Sequence, residues 1–304
     1  MINPTMGARE WGLLILLSGL WGGSFFFVEI ALEEMSPLLV AEGRVALAAL
    51  ALLVFVHIRG HRLPNTARAW GGLLVMGGLN NALPFALIAW GQSHIDSASA
   101  AILNATTPLF TMVLAHWLTR DERMTPAKVT GLLFGIGGVA LLFGPRALDA
   151  LGMREWGQLA VLGAALCYAS AALYGRRRLR RMPPSVAAAG MTLAASVWLF
   201  PLVLATEPLS TLRFDATTWG AVLGLALLCT AMAYPLYFRI LATAGATNLL
   251  LVTFLIPVSA LLLGVFLLAE RPGWNAYGGM ALILTGLAVI DGRLLVRLRS
   301  WKSA

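Results

Sequence analysis

The sequence predicts an all-α integral membrane protein with ten transmembrane helices. They are arranged as two inverted five-helix repeats, with both termini in the cytoplasm. Three observations lead to this prediction: high hydropathy, a duplicated pattern of prolines and glycines, and a one-sided distribution of basic residues. The chain has 304 residues, of which 59% are hydrophobic and 12% are charged, and its mean hydropathy is +0.80. These values exclude an ordinary soluble domain.

Apolar segments of membrane-spanning length follow one another along the chain. A bilayer core about 30 Å thick is crossed by roughly 20 apolar residues in a helix. Ten such segments are predicted, at residues 11–31, 37–58, 68–90, 97–118, 126–143, 156–175, 184–205, 216–238, 246–268 and 273–292. They leave no room for a soluble domain. No clear small-residue cleavage site follows the first segment, so we interpret it as a retained span and not as a signal peptide.

A pattern of proline, acidic and glycine residues occurs twice. In each copy a proline within an apolar segment precedes a Glu-Arg pair and then two glycines, whose distances from that pair are identical in the two copies. The copies are Pro108, Glu122-Arg123, Gly131 and Gly138, and Pro257, Glu270-Arg271, Gly279 and Gly286. The duplication predicts two five-helix domains, residues 1–145 and residues 146–304, the second with a short basic tail. Because five is odd, the second repeat is expected to insert upside down.

Basic residues are concentrated in alternate loops. Of the 22 Lys and Arg residues, 17 fall on one side of the predicted membrane, four fall on the other side, and Arg44 lies within a span. Cytoplasmic loops of membrane proteins are enriched in basic residues, so both termini are expected in the cytoplasm. This topology explains the net charge of +8, and no nucleic-acid partner is expected.

Polar and aromatic side chains recur on the third, fourth, eighth and ninth spans. Amides at mid-depth in a membrane need partners or water. Trp21 lies about halfway along the first span, where interfacial tryptophans are not expected. The residues predicted to line a cavity between the repeats are Trp21, Asn81, Trp90, Asn104, Thr107, Tyr168, Tyr234, Tyr237 and Asn248. The alternatives are interhelical hydrogen bonding alone and, for Trp21, contact with lipid.

Two prolines and two charged residues are predicted to act in gating. Pro108 and Pro257 each remove a backbone hydrogen bond and are expected to let their helices bend. Glu29 and Arg44 lie near the outer ends of the first two spans, and we expect them to form an outer gate or a structural ion pair. Snorkelling of the charged side chain to the interface is the alternative.

Several short motifs resemble those of EamA-type carriers in the drug/metabolite transporter superfamily. The motifs are Trp21-Gly22-Gly23-Ser24, Pro37 with Arg44, residues 101–108 followed by Glu122, and residues 250–257 followed by Glu270. The resemblance covers nearly the whole chain, with a departure at Glu29, where many relatives carry a basic residue. It implies a ten-helix inverted-repeat carrier in a bacterial inner membrane. Members of that family export amino acids or other metabolites, or move phosphorylated sugars and nucleotide sugars.

Motifs for catalysis, cofactors and metals are missing. The chain has no Walker-type loop, no dinucleotide-binding loop, no HExxH motif, and no Cys pair at metal spacing. Cys167 and Cys229 lie in apolar segments and are interpreted as packing residues. No cofactor or metal is expected. No Asp or Glu lies clearly at mid-membrane, so transport down a gradient and weak coupling through Glu29 or Glu42 both stay open.

The side chains of the central spans favour a neutral or zwitterionic solute. A sugar-phosphate site would need Lys or Arg deep in the cavity, whereas these spans offer Asn, Thr, Tyr, Trp and Phe. We expect a secondary transporter that exports aromatic and other neutral amino acids by alternating access. The alternatives are a drug or other metabolite exporter and, more remotely, an intramembrane enzyme or a non-transporting scaffold. A small-molecule substrate and membrane lipid are the expected partners, and a monomer or weak homodimer is the expected state.

Overall fold

The chain forms a bundle of membrane-length helices. The computed structural model describes residues 7–118, 124–144, 152–179, 182–208, 213–249 and 251–291. In these ranges eight helices are long and apolar enough to cross a membrane, and two shorter apolar helices, Val252–Leu267 and Trp274–Ile290, follow them. The ten predicted spans are therefore all helical. Glu122-Arg123, the predicted domain boundary and the basic tail lie outside the described residues.

The helices follow the predicted spans, but four spans are divided. The third span contains one π-helical segment and the eighth contains another. The fourth is broken into two helices, and the ninth is shared between a helix that ends at Leu249 and one that begins at Val252. In chain order the elements are α1 (Ala8–Leu32), α2 (Pro37–Ile58), α3 (Ala67–Gly77), the first π segment (Gly78–Ala82), α4 (Leu83–Gln92), α5 (Ser97–Asn104), α6 (Thr107–Leu118), α7 (Pro126–Phe143), α8 (Met153–Arg178), α9 (Pro184–Thr206), α10 (Ala216–Leu223), the second π segment (Gly224–Met232), α11 (Ala233–Leu249), α12 (Val252–Leu267) and α13 (Trp274–Asp291).

Helix pairing reproduces the inverted repeat. α1 packs against α12, and its counterpart α8 packs against α5 and α6, which are the counterpart of α12. α2 packs against the second π segment, and its counterpart α9 packs against α3 and the first π segment. α4 packs against α8, and its counterpart α11 packs against α1. The other two large contacts, between α2 and α9 and between α7 and α13, each join a helix to its own counterpart. Such reciprocity is expected of two repeats related by an axis in the membrane plane.

The marker glycines of the two repeats face one another where α7 crosses α13. A Cβ atom added at Gly131 would lie 2.6 Å from the carbonyl oxygen of Gly286, and one added at Gly138 would lie 2.7 Å from that of Gly279. These distances are too short for a side chain, so the two backbones touch directly. These glycines therefore allow close packing of two helices within one chain.

A further repeat marker lies at the start of each half. The tetrapeptide Arg-Glu-Trp-Gly occurs at residues 9–12 and again at residues 154–157. In the first copy the Glu10 carboxylate accepts a hydrogen bond from the Gly7 backbone N–H (3.0 Å), and in the second Glu155 accepts one from Gly152 (2.9 Å). Each repeat therefore begins with the same N-terminal cap, a signal that is visible in the sequence but is not among the markers used above.

Hydrogen bonds between the repeats tie one end of the bundle together. We call this end, where α1 ends and α2 begins, the acidic end. There Glu34 accepts hydrogen bonds from the Thr218 hydroxyl (2.7 Å) and the Asp215 backbone N–H (2.9 Å). Nearby, Glu270 accepts from the backbone N–H groups of Ser97 (2.9 Å) and Ala98 (3.3 Å) at the start of α5. Carboxylates are favoured at helix N-termini, so these contacts hold the repeats together at this end.

Alanine substitution at neighbouring glycines tests the α7–α13 contact. The Gly138→Ala variant is expected to destabilise the protein by about 1–3 kcal/mol, because the added methyl group is forced into the backbone of α13. Gly137→Ala is the matched control, since a Cβ there meets nothing within 4 Å and only raises helix propensity. Thermal unfolding of the purified protein in detergent measures the difference. Equal melting temperatures for the two variants would contradict the packing described.

Low pH is expected to weaken the hydrogen bonds that Glu34 accepts from the second repeat. The hydrogen bond from Thr218, with that from Asp215, lowers the pKa of Glu34 from its ordinary value of 4.5. A carboxylate whose pKa is lowered by folding stabilises the folded state at pH values above its ordinary pKa. This stabilisation is lost as the pH falls from the ordinary pKa through the lowered one. The melting temperature of Glu34→Gln should therefore lie below that of the wild type at pH 7, and the gap should narrow below about pH 4.5. Glu33→Gln in the same loop is the control, and a pH-independent gap would contradict this view.

Candidate functional site

The two π segments occupy equivalent places in the two repeats, and each directly precedes a proline. The first ends two residues before Pro84, and the second ends three residues before Pro235. A proline cannot donate a backbone hydrogen bond, and membrane helices accommodate it through local π adjustments. In the first segment the Leu83 N–H accordingly bonds to the Gly78 carbonyl, five residues back. Such π bulges occur frequently at functional sites.

A hydrogen-bond network joins the first π segment to α11. Asn80 Nδ2 donates to Asn81 Oδ1 (3.1 Å) and to the Tyr234 hydroxyl (3.3 Å), which in turn donates to Asn81 Oδ1 (3.4 Å). The side chain of Asn81 is fully buried, and its Nδ2 has no partner. Two predicted site residues from opposite repeats, Asn81 and Tyr234, are thus in contact.

Arg44 reaches from α2 to the second π segment. Its Nε donates to the Thr230 hydroxyl (2.9 Å), and its Nη1 donates to the Ser24 hydroxyl (2.8 Å). The guanidinium carbon lies 3.7 Å from the centroid of the Phe85 ring. Arg44 is only 7% exposed. Among the described residues its partners are therefore two hydroxyls and an aromatic ring, none of which carries a negative charge.

The predicted ion pair between Glu29 and Arg44 is not formed. Glu29 instead accepts a hydrogen bond from Gln92 Nε2 at 3.0 Å, and the same amide donates to the Phe25 carbonyl at 2.9 Å. The prediction placed Arg44 near the outer face, but its side chain reaches Thr230, the 15th residue of the 30-residue span Ala216–Gly245. This depth also excludes snorkelling of Arg44, which would place the charged group at the membrane interface. The gating role of both residues stays a prediction.

Aromatic rings surround the network on the side of α1 and α11. The rings of Trp21 and Tyr237 lie 5.8 Å apart between centroids. Phe238 joins them, since its ring lies 5.1 Å from that of Tyr237 and 6.4 Å from that of Tyr234. Tyr168 packs against the same apolar core as Trp21 and Tyr237, and also against the cluster that contains Phe85. Four predicted aromatic residues are therefore close to one another, and Phe238 was missed because a phenylalanine in an apolar span gives no distinctive signal.

One predicted aromatic residue lies elsewhere. Trp90 is in the last turn of α4, and its ring contacts that of His94 at 4.7 Å between centroids. The backbone carbonyl of Trp90 also lies 2.9 Å from His94 Nδ1. These contacts are at the acidic end of the bundle, so Trp90 stands apart from the central group.

The fourth span breaks at the predicted proline. Pro108 cannot donate to the Asn104 carbonyl, and that carbonyl accepts a hydrogen bond from the Thr107 hydroxyl instead (2.7 Å). α5 ends at Asn104 and α6 begins at Thr107. The side-chain oxygen Oδ1 of Asn104 is buried and has no partner. The structure thus shows a helix break beside Pro108, while the role of this break as a hinge stays a prediction.

The ninth span is arranged differently from its counterpart. Pro257 lies within the continuous helix α12, and the change of direction comes earlier, at Gly245, whose φ is +80°. Asn248 is buried, and its Nδ2 donates to the Ala244 carbonyl at 2.9 Å. The two predicted hinges are therefore not equivalent in the structure.

The motif in the first span positions α1 against α12. A Cβ atom added at Gly22 would lie 2.6 Å from the Cβ of Ser259 and 2.9 Å from the backbone nitrogen of Ala260. One turn away, the hydroxyls of Ser18 and Ser259 are 2.7 Å apart. This close contact joins the two repeats and places Trp21 beside α11.

A cavity of about 450 Å³ lies between α2, the second π segment and α11. Apart from Arg239, which is exposed at the end opposite the acidic end, its walls are apolar. It is lined by Ala51, Leu52, Phe55, Leu227, Ala231, Met232, Pro235, Leu236 and Arg239. In the part of the chain that the structure describes, no group of three His, Cys, Asp or Glu residues is placed to hold a metal ion.

Comparison with known proteins identifies the family. The EamA-like transporter family matches the chain twice, over residues 9–144 and 155–291. The chain belongs to the EamA-like transporter family. An uncharacterized transporter of Archaeoglobus fulgidus is 24% identical over 91% of this chain and 96% of its own. The uncharacterized inner membrane transporter YedA of Escherichia coli is 27% identical over 88% of this chain and 86% of its own.

A solved structure shares the fold of this EamA-like transporter. The two are 22% identical in sequence, with a TM-score of 0.69 over 95% of this chain and 99% of the other. The chain is therefore a multi-pass transporter of the bacterial inner membrane and not an enzyme, as the resemblance implied. The relatives are described as uncharacterized transporters, so their names leave the substrate open.

Removal of one hydroxyl tests the network around the first π segment. Tyr234→Phe is expected to destabilise the protein by about 0.5–1.5 kcal/mol, because the Tyr234 hydroxyl joins Asn80 to Asn81. Tyr237→Phe is the matched control, since its hydroxyl has no hydrogen-bond partner among the described residues. Melting temperatures measured in the same detergent compare the two variants. A larger loss in Tyr237→Phe than in Tyr234→Phe would show that the network is not formed as described.

Proposed function

We propose that this EamA-like transporter exports aromatic and other neutral amino acids by alternating access between its two repeats. The observation that carries the proposal is the cluster of polar and aromatic side chains where the first π segment meets α11. Asn81 and Tyr234 come from opposite repeats and form its polar part, while Trp21 and Tyr237 supply aromatic surface. A solute held there would contact both repeats.

Two buried amide atoms without partners support a polar ligand. Asn81 Nδ2 is a free donor, and Asn104 Oδ1 is a free acceptor. A buried polar atom that lacks a hydrogen bond costs about 1–3 kcal/mol, which a suitable ligand would recover once the helices move apart and expose the atom. An amino acid can bond to both atoms, because its carboxylate accepts hydrogen bonds and its ammonium group donates them. Its side chain would pack against the rings of Trp21 and Tyr237.

The other two predicted polar residues, Thr107 and Asn248, are weaker candidates for solute binding. The Thr107 hydroxyl bonds to the Asn104 carbonyl, and Asn248 Nδ2 bonds to the Ala244 carbonyl. Each group thus already donates one hydrogen bond to the protein's own backbone. Asn81 and Asn104 are therefore the first residues to test.

Alternating access is supported by contacts that can open without breaking a helix. The ties of Glu34 and Glu270 join the repeats at the acidic end. If the termini are cytoplasmic, as the distribution of basic residues predicts, these ties close the outer side of the bundle. The π segments and the break beside Pro108 are places where a helix can change direction between states.

Export of bulky apolar compounds is a second candidate function. The cavity between α2 and α11 has about 450 Å³ of space and walls that are apolar except for Arg239. Its volume lies within the range of small-molecule pockets, and it is open on one side. Competition by bulky apolar cations, without competition by amino acids, would favour this function.

Transport in proteoliposomes tests the amino-acid proposal. The purified protein is expected to exchange labelled Phe, Thr or Met, with Phe preferred, and a pH gradient reveals any coupling to protons. Asn81→Leu and Asn104→Leu should each weaken the apparent affinity about 10-fold, which corresponds to the loss of one buried hydrogen bond. Thr285→Val is the control, because its exposed hydroxyl bonds only to the backbone of its own helix. Absence of flux for every amino acid would refute the proposal.

A further inference from the structure

We propose that Arg44 binds the carboxylate of the transported solute, so that this carrier selects solutes with a single negatively charged group. The inference rests on the proposed function, since it names the chemical class of solute at the same site. It also changes an expectation from the sequence, namely that no basic residue lies deep in the central spans.

Within the part of the chain that the structure describes, no counter-ion lies against the charge of Arg44. An arginine stays protonated inside proteins, and a charge within a membrane span is expensive unless it is paired or contacts water. The hydroxyls of Ser24 and Thr230 and the ring of Phe85 lower this cost but do not neutralise the charge. Of the five N–H donors of a guanidinium, two are used by these hydroxyls.

The third nitrogen of the guanidinium is available to a ligand. Nη2 of Arg44 has no hydrogen-bond partner among the described residues. It is also absent from the polar atoms that are fully enclosed without a partner. Nη2 therefore keeps a small accessible surface, and a carboxylate could approach it together with Nη1.

The nearest acidic residues in the sequence do not supply the missing charge. Glu29 is bonded to Gln92. Glu42 is on the same helix as Arg44, but residues two positions apart do not face each other. Its carboxylate faces α9, where it accepts a hydrogen bond from the Ser196 hydroxyl. The countercharge therefore has to come from outside these elements, and a solute is the molecule that passes through.

The number of charges favours a carboxylate over a phosphate. Arg44 is the only buried Lys or Arg among the described residues, and one guanidinium can neutralise a single negative charge. A phosphate monoester carries nearly two charges at neutral pH and would need a second cation. A carboxylate also matches the planar guanidinium in bidentate geometry. The aromatic residues nearby, Tyr168 and Phe85 among them, suit an apolar group on the same solute.

Four phenyl compounds test the contribution of the charged group independently of the aromatic ring. The probes are L-phenylalanine, 3-phenylpropanoate, phenethylamine and phenyl phosphate, and each is tested for thermal stabilisation of the purified protein and for inhibition of labelled Phe exchange. We expect L-phenylalanine and 3-phenylpropanoate to act at concentrations at least 10-fold lower than phenethylamine and phenyl phosphate. In Arg44→Gln the advantage of the carboxylate compounds should fall by on the order of 10- to 100-fold, as expected for a lost hydrogen bond to a charged group.

Three further variants separate binding from structural support. Ser24→Ala and Thr230→Val remove the hydroxyls that hold Arg44 but keep its charge, so they should lower stability while the carboxylate preference remains. Arg44→Lys keeps the positive charge but loses the planar, forked guanidinium group. Its preference for the carboxylate compounds should therefore lie between that of the wild type and that of Arg44→Gln. This variant also keeps the test decisive if Arg44→Gln does not fold.

The outcomes distinguish this inference from the proposed function. Stabilisation by 3-phenylpropanoate that depends on Arg44, without any amino-acid flux, would support the anion site and refute amino-acid export. Equal action of phenethylamine and 3-phenylpropanoate on the wild type would overturn the inference, as would a carboxylate preference that survives in folded Arg44→Gln. A preference for phenyl phosphate would show that the site is built for a different anion.

Discussion

A membrane span has to satisfy its backbone hydrogen bonds within the protein, because the bilayer core offers no partners. This constraint explains the form of the bundle. Where a proline removes a donor, the chain responds locally: a π segment precedes Pro84 and Pro235, and the Thr107 hydroxyl covers the carbonyl freed by Pro108. These departures from regular helix lie on the spans that carry the polar side chains. The candidate site is therefore located where the backbone already deviates from α-helical geometry.

The inverted repeat places two related helix pairs around this region, but evolution of the two copies has made them chemically different. α2 and α9 both begin with proline, so Arg44 and Met191 occupy the same position, seven residues later. Arg44 donates to Thr230, whereas the sulfur of Met191 accepts a weak hydrogen bond from Asn80 at 3.8 Å. One copy thus presents a positive charge and the other a neutral, polarizable atom. A solute with one charged end and one apolar end is suited to such a pair.

Much of the fold could be predicted from the sequence, because hydropathy, basic residues and repeated glycines report on long segments. The marker glycines make crossed contacts, Gly131 with Gly286 and Gly138 with Gly279, as expected of two copies in inverted orientation. The depth of Arg44 could not be predicted in this way. Its Cα lies in the first half of its span, and only the packing of α2 against the second π segment determines where the long side chain ends. The π segments were equally hidden, since a proline in a span is compatible with a simple kink.

The partners of Glu29 show the same limit. Two opposite charges near the same end of neighbouring spans suggested an ion pair, but Gln92, on a third span, bonds to Glu29 instead. Pairing between side chains depends on how the helices are rotated about their axes, and a hydropathy pattern with little amphipathic contrast does not fix that rotation. The aromatic cluster was easier to predict, because tyrosine and tryptophan are uncommon at mid-span and each one is therefore informative.

The central claim is that the region around the first π segment is reached from both sides of the membrane in turn. The most direct measurement is labelling of Asn81→Cys, in a background lacking Cys167 and Cys229, with a membrane-impermeant thiol reagent. The experiment uses membrane vesicles of both orientations. Alternating access predicts that the cysteine reacts from each side and that L-phenylalanine slows both reactions. Reaction from one side only, or from neither, would contradict it.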